Sequence, residues 1–251
     1  MHDKRYIVIA NWKMNFSFNQ TVLWLKNNHE SLMQLPQNNI SLVICPSFES
    51  LWITKTNLKE SLVLLGAQDC SEHETGPFTA QVSAQSLKEL GCRYCLIGHS
   101  ETFENWDTYQ ETLHNKITMA LTHDLTPIMC FGESKEEHEQ KMTEASITKQ
   151  ITHYCSALKK NSITKGLFAY EPKWAIGSGK IPDTTHIEKI LILSKKIADS
   201  FALDATMMYG GSVSSKTVLS LKKISVIEGF LLGKASTDFQ ELKKVVSLLQ
   251  E

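Results

Sequence analysis

The sequence predicts a single α/β domain built as a closed (β/α)8 barrel with eight parallel strands, and three observations carry that expectation. Eight short apolar, β-branched runs recur along the 251 residues without strict polar alternation, the pattern of parallel strands covered on both faces. Amphipathic stretches of helical period lie between them, and no Pro/Gly/Ser-rich linker interrupts the sequence, so residues 1–251 read as one unit. Period alone leaves a doubly wound open sheet in play, but no GxGxxG or GxxxxGK(S/T) follows the first run, where a dinucleotide or P-loop site needs its glycines.

In order, the expected strands are YIVIA near residue 6, SLVIC near 41, LVLLGA near 62, RYCLIG near 93, LTPIMC near 125, GLFAY near 166, ATMMYG near 205 and VIEGFLL near 226. Helical stripes are expected at Phe18, Val22, Leu25 and Leu32, and at Leu113, Ile117, Ala120 and Leu121. Further stripes fall at Ile187, Ile190, Leu191, Ser194 and Ile197, and at Leu242, Val245, Val246 and Leu249; each is one apolar face of a surface helix. Ser47, and the cluster of Asp183, Thr184 and Thr185, supply N-cap candidates.

Composition narrows the function. A formal net charge of -1 with no run of like charges gives no footprint for nucleic acid or an anionic membrane, so attraction for an anionic ligand must be local. The opening apolar run IVIA is too short for a signal or a membrane span, and the expected location is the cytosol. Six cysteines without such a signal read as reduced core thiols. Cys92 and Cys95 form a CxxC, but residues three apart on a strand point to opposite faces, which argues against a metal or redox pair.

Polar, Gly-rich, His and Glu positions cluster just after the strand candidates, where barrel enzymes keep their chemistry. Strand one runs into Asn11, Trp12 and Lys13; strand four into Gly98, His99, Ser100 and Glu101; strand six into Glu171, Pro172, Lys173 and Trp174. Strands seven and eight run into Tyr209, Gly210, Gly211, Ser212 and into Gly233, Lys234, Ala235, Ser236. Singly, each has a plain structural reading: a His or Glu at a strand end is often a cap or ion pair, and YGGS is an ordinary turn.

Together they are specific. NWKMN at 11–15, GAQDCS at 66–71, GHSE at 98–101, CFGE at 130–133, YEPKWAIGSGK at 170–180, YGGSV at 209–213 and GFLLGKAS at 229–236 resemble triosephosphate isomerase along nearly the whole chain. The resemblance implies a TIM barrel that interconverts dihydroxyacetone phosphate and D-glyceraldehyde 3-phosphate, a step of glycolysis and gluconeogenesis, through an enediol or enediolate. It implies Glu171 as the base that ferries the carbon-bound proton, His99 as the group that polarises the carbonyl, and Lys13 as a fixed positive charge near the oxyanion and phosphate. A neutral histidine, its pKa lowered by a helix N-terminus, is a property of this very enzyme that comes with the resemblance. Asn11 would touch substrate, and backbone N–H groups of Gly177, Ser212, Gly233 and Lys234 would hold the phosphate, aided by a short helix after strand eight.

The segment from Pro172 to Lys180 resembles the family's mobile lid. No metal or organic cofactor is implied, because the adjacent carbonyl already acidifies the proton and no electrons leave the substrate. Cys130 is expected to be a packed thiol, not a nucleophile. The implied partners are the small triose phosphate and a second copy of the chain in a homodimer, with the loop from Ser71 to Gln85 inserted beside the partner's site. Two alternatives stay open: another phosphate-binding barrel such as phosphoribosylanthranilate isomerase, or an inactive barrel kept as a binding protein.

The chain departs from the family pattern at a few points. Thr102 and Phe103 stand where two arginines commonly follow GHSE, and FTGE reads FTAQ, with Ala80 and Gln81. A family glycine after strand eight is Lys234, and Pro182 falls at the lid's C-terminal hinge.

Overall fold

In the computed structural model, which describes residues 5–35, 39–175 and 181–250, eight parallel strands close into a barrel in sequence order, with β1 paired to both β2 and β8. The strands are β1 (Tyr6–Asn11), β2 (Ile40–Cys45), β3 (Leu64–Ala67), β4 (Tyr94–Ile97), β5 (Thr126–Phe131), β6 (Lys165–Tyr170), β7 (Asp204–Tyr209) and β8 (Ile227–Leu232). All eight expected runs become strands. The expected helical stripes become α1 (Phe18–Gln34), α4 (Trp106–Thr122), α7 (Thr184–Ser200) and α9 (Phe239–Gln250). Between them lie α2 (Leu51–Asn57), α3 (Ala84–Glu89), α5 (Lys135–Glu139), α6 (Thr143–Lys160) and α8 (Val218–Lys222).

Two apolar layers hold the barrel. Ile9, Val43, Cys45, Leu96, Ile128, Cys130, Ala169, Met208 and Leu231 pack against one another inside it, while Val8, Ala10, Leu42, Ile44 and Phe168 face the helices. The strands thus alternate between two buried faces, which is why the sequence shows no polar alternation. The period of two also aims the site: Ile7, Ile9 and then Asn11, or Leu167, Ala169 and then Glu171, follow one inward-facing series to the C-terminal mouth.

Local details refine the expectations. On α1 the buried face is Thr21, Trp24, Leu25 and Leu32, whereas Phe18 is exposed; the stripe is turned because Trp24 packs edge-on against Trp12 and Phe239. Asp183 caps α7 by accepting the Thr185 N–H at 2.9 Å, and the buried Pro182 stands directly before it. Ser47 precedes a 3-10 turn at Phe48–Ser50 without a side-chain capping bond. Cys92 lies before β4, outside the strand, so the alternation of strand faces does not relate it to Cys95; both belong to the helix-facing core, and all six cysteines are free and buried. Among the described residues no helix is long and apolar enough to cross a membrane.

Candidate active site

The structure gathers Asn11, Lys13, His99, Glu171 and Gly233 at one end of the barrel. Lys13 sits at φ 50°, a left-handed conformation that costs a β-carbon-bearing residue about 1–3 kcal/mol. Its neighbours hold it there: the buried Asn11 Oδ1 accepts the Lys13 N–H at 3.0 Å, and Gln68 Nε2 donates to the Lys13 carbonyl at 2.9 Å. The ammonium then reaches Glu101 Oε1 at 2.7 Å. Gly233 borders the same side chain, since a β-carbon there would lie 3.6 Å from Lys13 Cε.

Gly98, at φ +75°, turns the chain out of β4 and swings His99 into the mouth, where it is 3% exposed. Its Nε2 lies 3.4 Å from Glu171 Oε2. Its Nδ1 accepts the backbone N–H of Glu101 at 3.2 Å, which places the neutral ring's proton on Nε2, facing Glu171. Burial opposes a charged imidazole, but the Glu171 carboxylate, with Glu101 adding to it, outweighs burial and raises the His99 pKa above its ordinary value. The shift is opposite to the one the family resemblance led us to expect. The local geometry differs too: a turn closed by the Thr102 N–H on the His99 carbonyl at 2.9 Å follows the histidine, and α4 begins only at Trp106.

Glu171 is fixed by backbone and by two glycines. Its N–H donates to the Phe131 carbonyl at 2.7 Å. A β-carbon at Gly132 would fall 2.0 Å from the Glu171 carbonyl oxygen, and one at Gly210 would fall 2.6 Å from Glu171 Cγ, so neither position has room for a side chain. Cys130 lies beneath, buried, with burial and the Glu171 carboxylate pushing its thiol pKa far up; it is a packed thiol.

Ser212, also at positive φ (47°), joins the mouth by donating its hydroxyl to the Ala175 carbonyl at 3.1 Å. After β8 comes a three-residue 3-10 turn, Lys234–Ser236, with Gly233 as its N-cap; the first N–H groups of such a turn have no partner within it. Lys234 is exposed and absent from the positive-φ residues. Gly177, and with it the part of the expected lid from 176 to 180, lies outside the described residues.

Sequence reasoning gave no role to Glu101, Gln68 or Glu133. Glu101 carries both the Lys13 contact and the N–H that fixes His99, and the signal was its place in GHSE. Glu133, the last residue of CFGE, is fully buried and accepts the Trp174 indole N–H at 2.8 Å and the Tyr170 hydroxyl. A cavity of about 730 Å3 opens at the opposite end of the barrel, among Arg5, Tyr94, Lys165 and Asp204; it holds none of the mouth's polar groups.

The departures have local explanations. Thr102 donates its hydroxyl back to the His99 carbonyl at 2.8 Å. Phe103 stacks on Tyr109 and lies under the Lys173 ammonium, 4.7 Å from its ring centre, a cation–π contact. Gln81 accepts the Ser71 hydroxyl at 2.5 Å within its own loop, and Ala80 takes φ 71°, a conformation that favours glycine.

Known proteins match this chain closely. A family model described as triosephosphate isomerase matches residues 6–249. The triosephosphate isomerase of Mesomycoplasma hyopneumoniae (strain 7448) is 36% identical over 244 residues, covering 96% of this chain and 98% of that protein. Those of Dictyoglomus thermophilum and Endomicrobium trichonymphae are 34% and 31% identical, over 97% of this chain and 99% and 98% of theirs.

Proposed function

Because the chain belongs to the triosephosphate isomerase family, we propose that Glu171, His99 and Lys13 carry out the interconversion of dihydroxyacetone phosphate and D-glyceraldehyde 3-phosphate, with residues 1–251 as one catalytic domain. The observation that carries the assignment of roles is the buried His99–Glu171 pair, whose facing atoms Nε2 and Oε2 lack hydrogen-bond partners. Buried polar atoms are nearly always satisfied, and a catalytic role is one reason for a buried group to be left without a partner.

Glu171 takes the proton from one carbon and returns it to the next, which a single carboxylate does without leaving the site. His99 donates from Nε2 to the substrate carbonyl, and its neutrality is coupled to that transfer. Once Glu171 accepts the proton, the charge that raises the His99 pKa is gone, and burial and Lys13 then favour the uncharged ring. Lys13 supplies a fixed charge for the developing oxyanion, with Asn11 holding its backbone. Backbone N–H groups of Gly177, Ser212, Gly233 and Lys234 grip the phosphate, the last two from the start of the turn after β8.

The same reading takes the protein to be a cytosolic homodimer. The loop residues 74–81 are exposed as one run, and Met14, at the same end of the barrel, is 92% exposed, the kind of apolar surface that a partner covers. Conversion of D-glyceraldehyde 3-phosphate to dihydroxyacetone phosphate, followed by a coupled dehydrogenase, tests the activity. Turnover that saturates with this substrate and is absent with phosphoribosylanthranilate is expected; no turnover with either favours an inactive barrel.

A further inference from the structure

We propose that Glu133, His138 and His186 form a site for a divalent cation of the zinc class beside Trp174, distinct from the catalytic pair. Glu133 leaves β5 fully buried. A carboxylate removed from water is costly unless a counter-charge or full hydrogen bonding compensates it. Tyr170 and Trp174 give it neutral donors, and two histidine rings face it. His138 Nδ1 lies 3.8 Å and His186 Nε2 3.9 Å from Glu133 Oε1.

Those separations are too long for hydrogen bonds. They approach what a bridging metal produces, since bonds of about 2.0–2.2 Å at tetrahedral angles set donor atoms roughly 3.4 Å apart. All three donor atoms lie within 4.8 Å of one another. His138 Nδ1 is buried and has no hydrogen-bond partner, so its lone pair is not committed elsewhere, while His186 Nε2 faces the Tyr170 hydroxyl at 3.3 Å and would exchange that contact for the ion. The imidazole side chains are 38% and 28% exposed, which leaves them freedom to close the gap and lets water reach a fourth position.

The donor chemistry selects the ion. Two imidazoles and one carboxylate suit zinc and its neighbours, whereas magnesium and calcium prefer all-oxygen sets. The Tyr170 hydroxyl and Trp174 indole bonds orient the carboxylate, as outer-shell donors do at metal sites. Cysteines do not compete, because all six are buried and burial pushes the thiols of Cys45, Cys92, Cys130 and Cys155 upward, as a hydrogen bond with Cys70 and then burial do that of Cys95. The site also touches the segment that carries the base: His138 stacks on Trp174 with ring centres 4.3 Å apart, three residues beyond Glu171. An ion that ties His138 to Glu133 therefore restrains Trp174, and saturating metal should lower turnover.

The test is a titration of the chelator-stripped full chain with zinc chloride against a chromogenic chelator, beside His138→Gln, His186→Gln, the double variant and the exposed control His29→Gln. Circular dichroism checks that each is folded. The proposal expects saturable binding of about one ion per chain, unchanged in the control and weakened at least about tenfold in the double variant. No saturable binding below about 100 μM metal, or a folded double variant less than about tenfold weaker than the parent, overturns it.

Discussion

Nε2 of His99 and Oε2 of Glu171 face each other across 3.4 Å, both buried, with no hydrogen bond to either. The pair is held from behind on both sides. The Glu101 N–H fixes the imidazole, the hollow at Gly132 seats the Glu171 backbone, and the hollow at Gly210 leaves room for its side chain. Position is therefore set by backbone and by missing side chains, which makes it sensitive to single methyl groups.

Gly210→Ala tests that sensitivity. The added carbon would sit 2.6 Å from Glu171 Cγ, and restoring ordinary carbon contact needs a shift of about 1 Å. A misplacement of that size lowers kcat by up to about 10²-fold. Steady-state kinetics should show the fall in a variant that remains folded by circular dichroism; a kcat within about twofold of the parent would mean the carboxylate is not positioned by this contact.

Lys234→Gly should do little. The side chain is exposed and the backbone is not at positive φ, and in the proposed function the position serves through its N–H, which glycine also supplies. kcat/KM should change by less than about threefold, under about 0.7 kcal/mol. A much larger loss, confined to phosphorylated substrates, would show that the ammonium is a ligand.

Acid should weaken the fold through α4 and α6. His153, facing Trp106 and His114, has its pKa lowered, by burial first and then by His114, against a hydrogen bond to the Gln110 backbone that raises it. His114 is lowered by burial and by Lys160. A histidine depressed in the folded state binds its proton more readily when unfolded. Its contribution is therefore intact above the unfolded value of 6.5 and is lost as pH falls below it. Thermal melts at stepped pH should show Tm dropping on that side, and His153→Gln should flatten the drop. An acid limb identical in both would remove His153 as its cause.

Dimerisation should depend only weakly on salt. Gln81 and Thr102 stand where the family pattern has a glutamate and an arginine, and here each uncharged side chain bonds within its own chain. Screening acts on exposed charges, so sedimentation should give a dimer at micromolar concentration whose dissociation changes little between low and moderate salt. A monomer, or strong dissociation by salt, would contradict the homodimer.

The eight strands were legible because burial on both faces leaves continuous apolar runs, and the inward series to Asn11 and Glu171 follows from the strand period. The α1 stripe was misplaced because Trp24 is drawn to Trp12 and Phe239 by contacts more than 200 residues apart in the case of Phe239, which a helical period does not contain. That Lys13, His99 and Glu171 meet at one end of the barrel was legible through NWKMN, GHSE and YEPKWAIGSGK. The role of Glu101 was not, because one of its two contributions is a backbone N–H that any residue could supply. The upward shift at His99 was hidden for a related reason: it depends on the 3.4 Å approach of Glu171, a distance between two strands' ends.

The measurement that bears most directly on the central claim, that Glu171 carries the carbon-bound proton, is the kinetic split in Glu171→Asp. Shortening the side chain withdraws the carboxylate by about 1 Å while leaving the phosphate grip intact, so kcat should fall by up to roughly 10²-fold with KM nearly unchanged. An unchanged kcat with a raised KM would contradict the account, because Glu171 would then be a binding group and not the base.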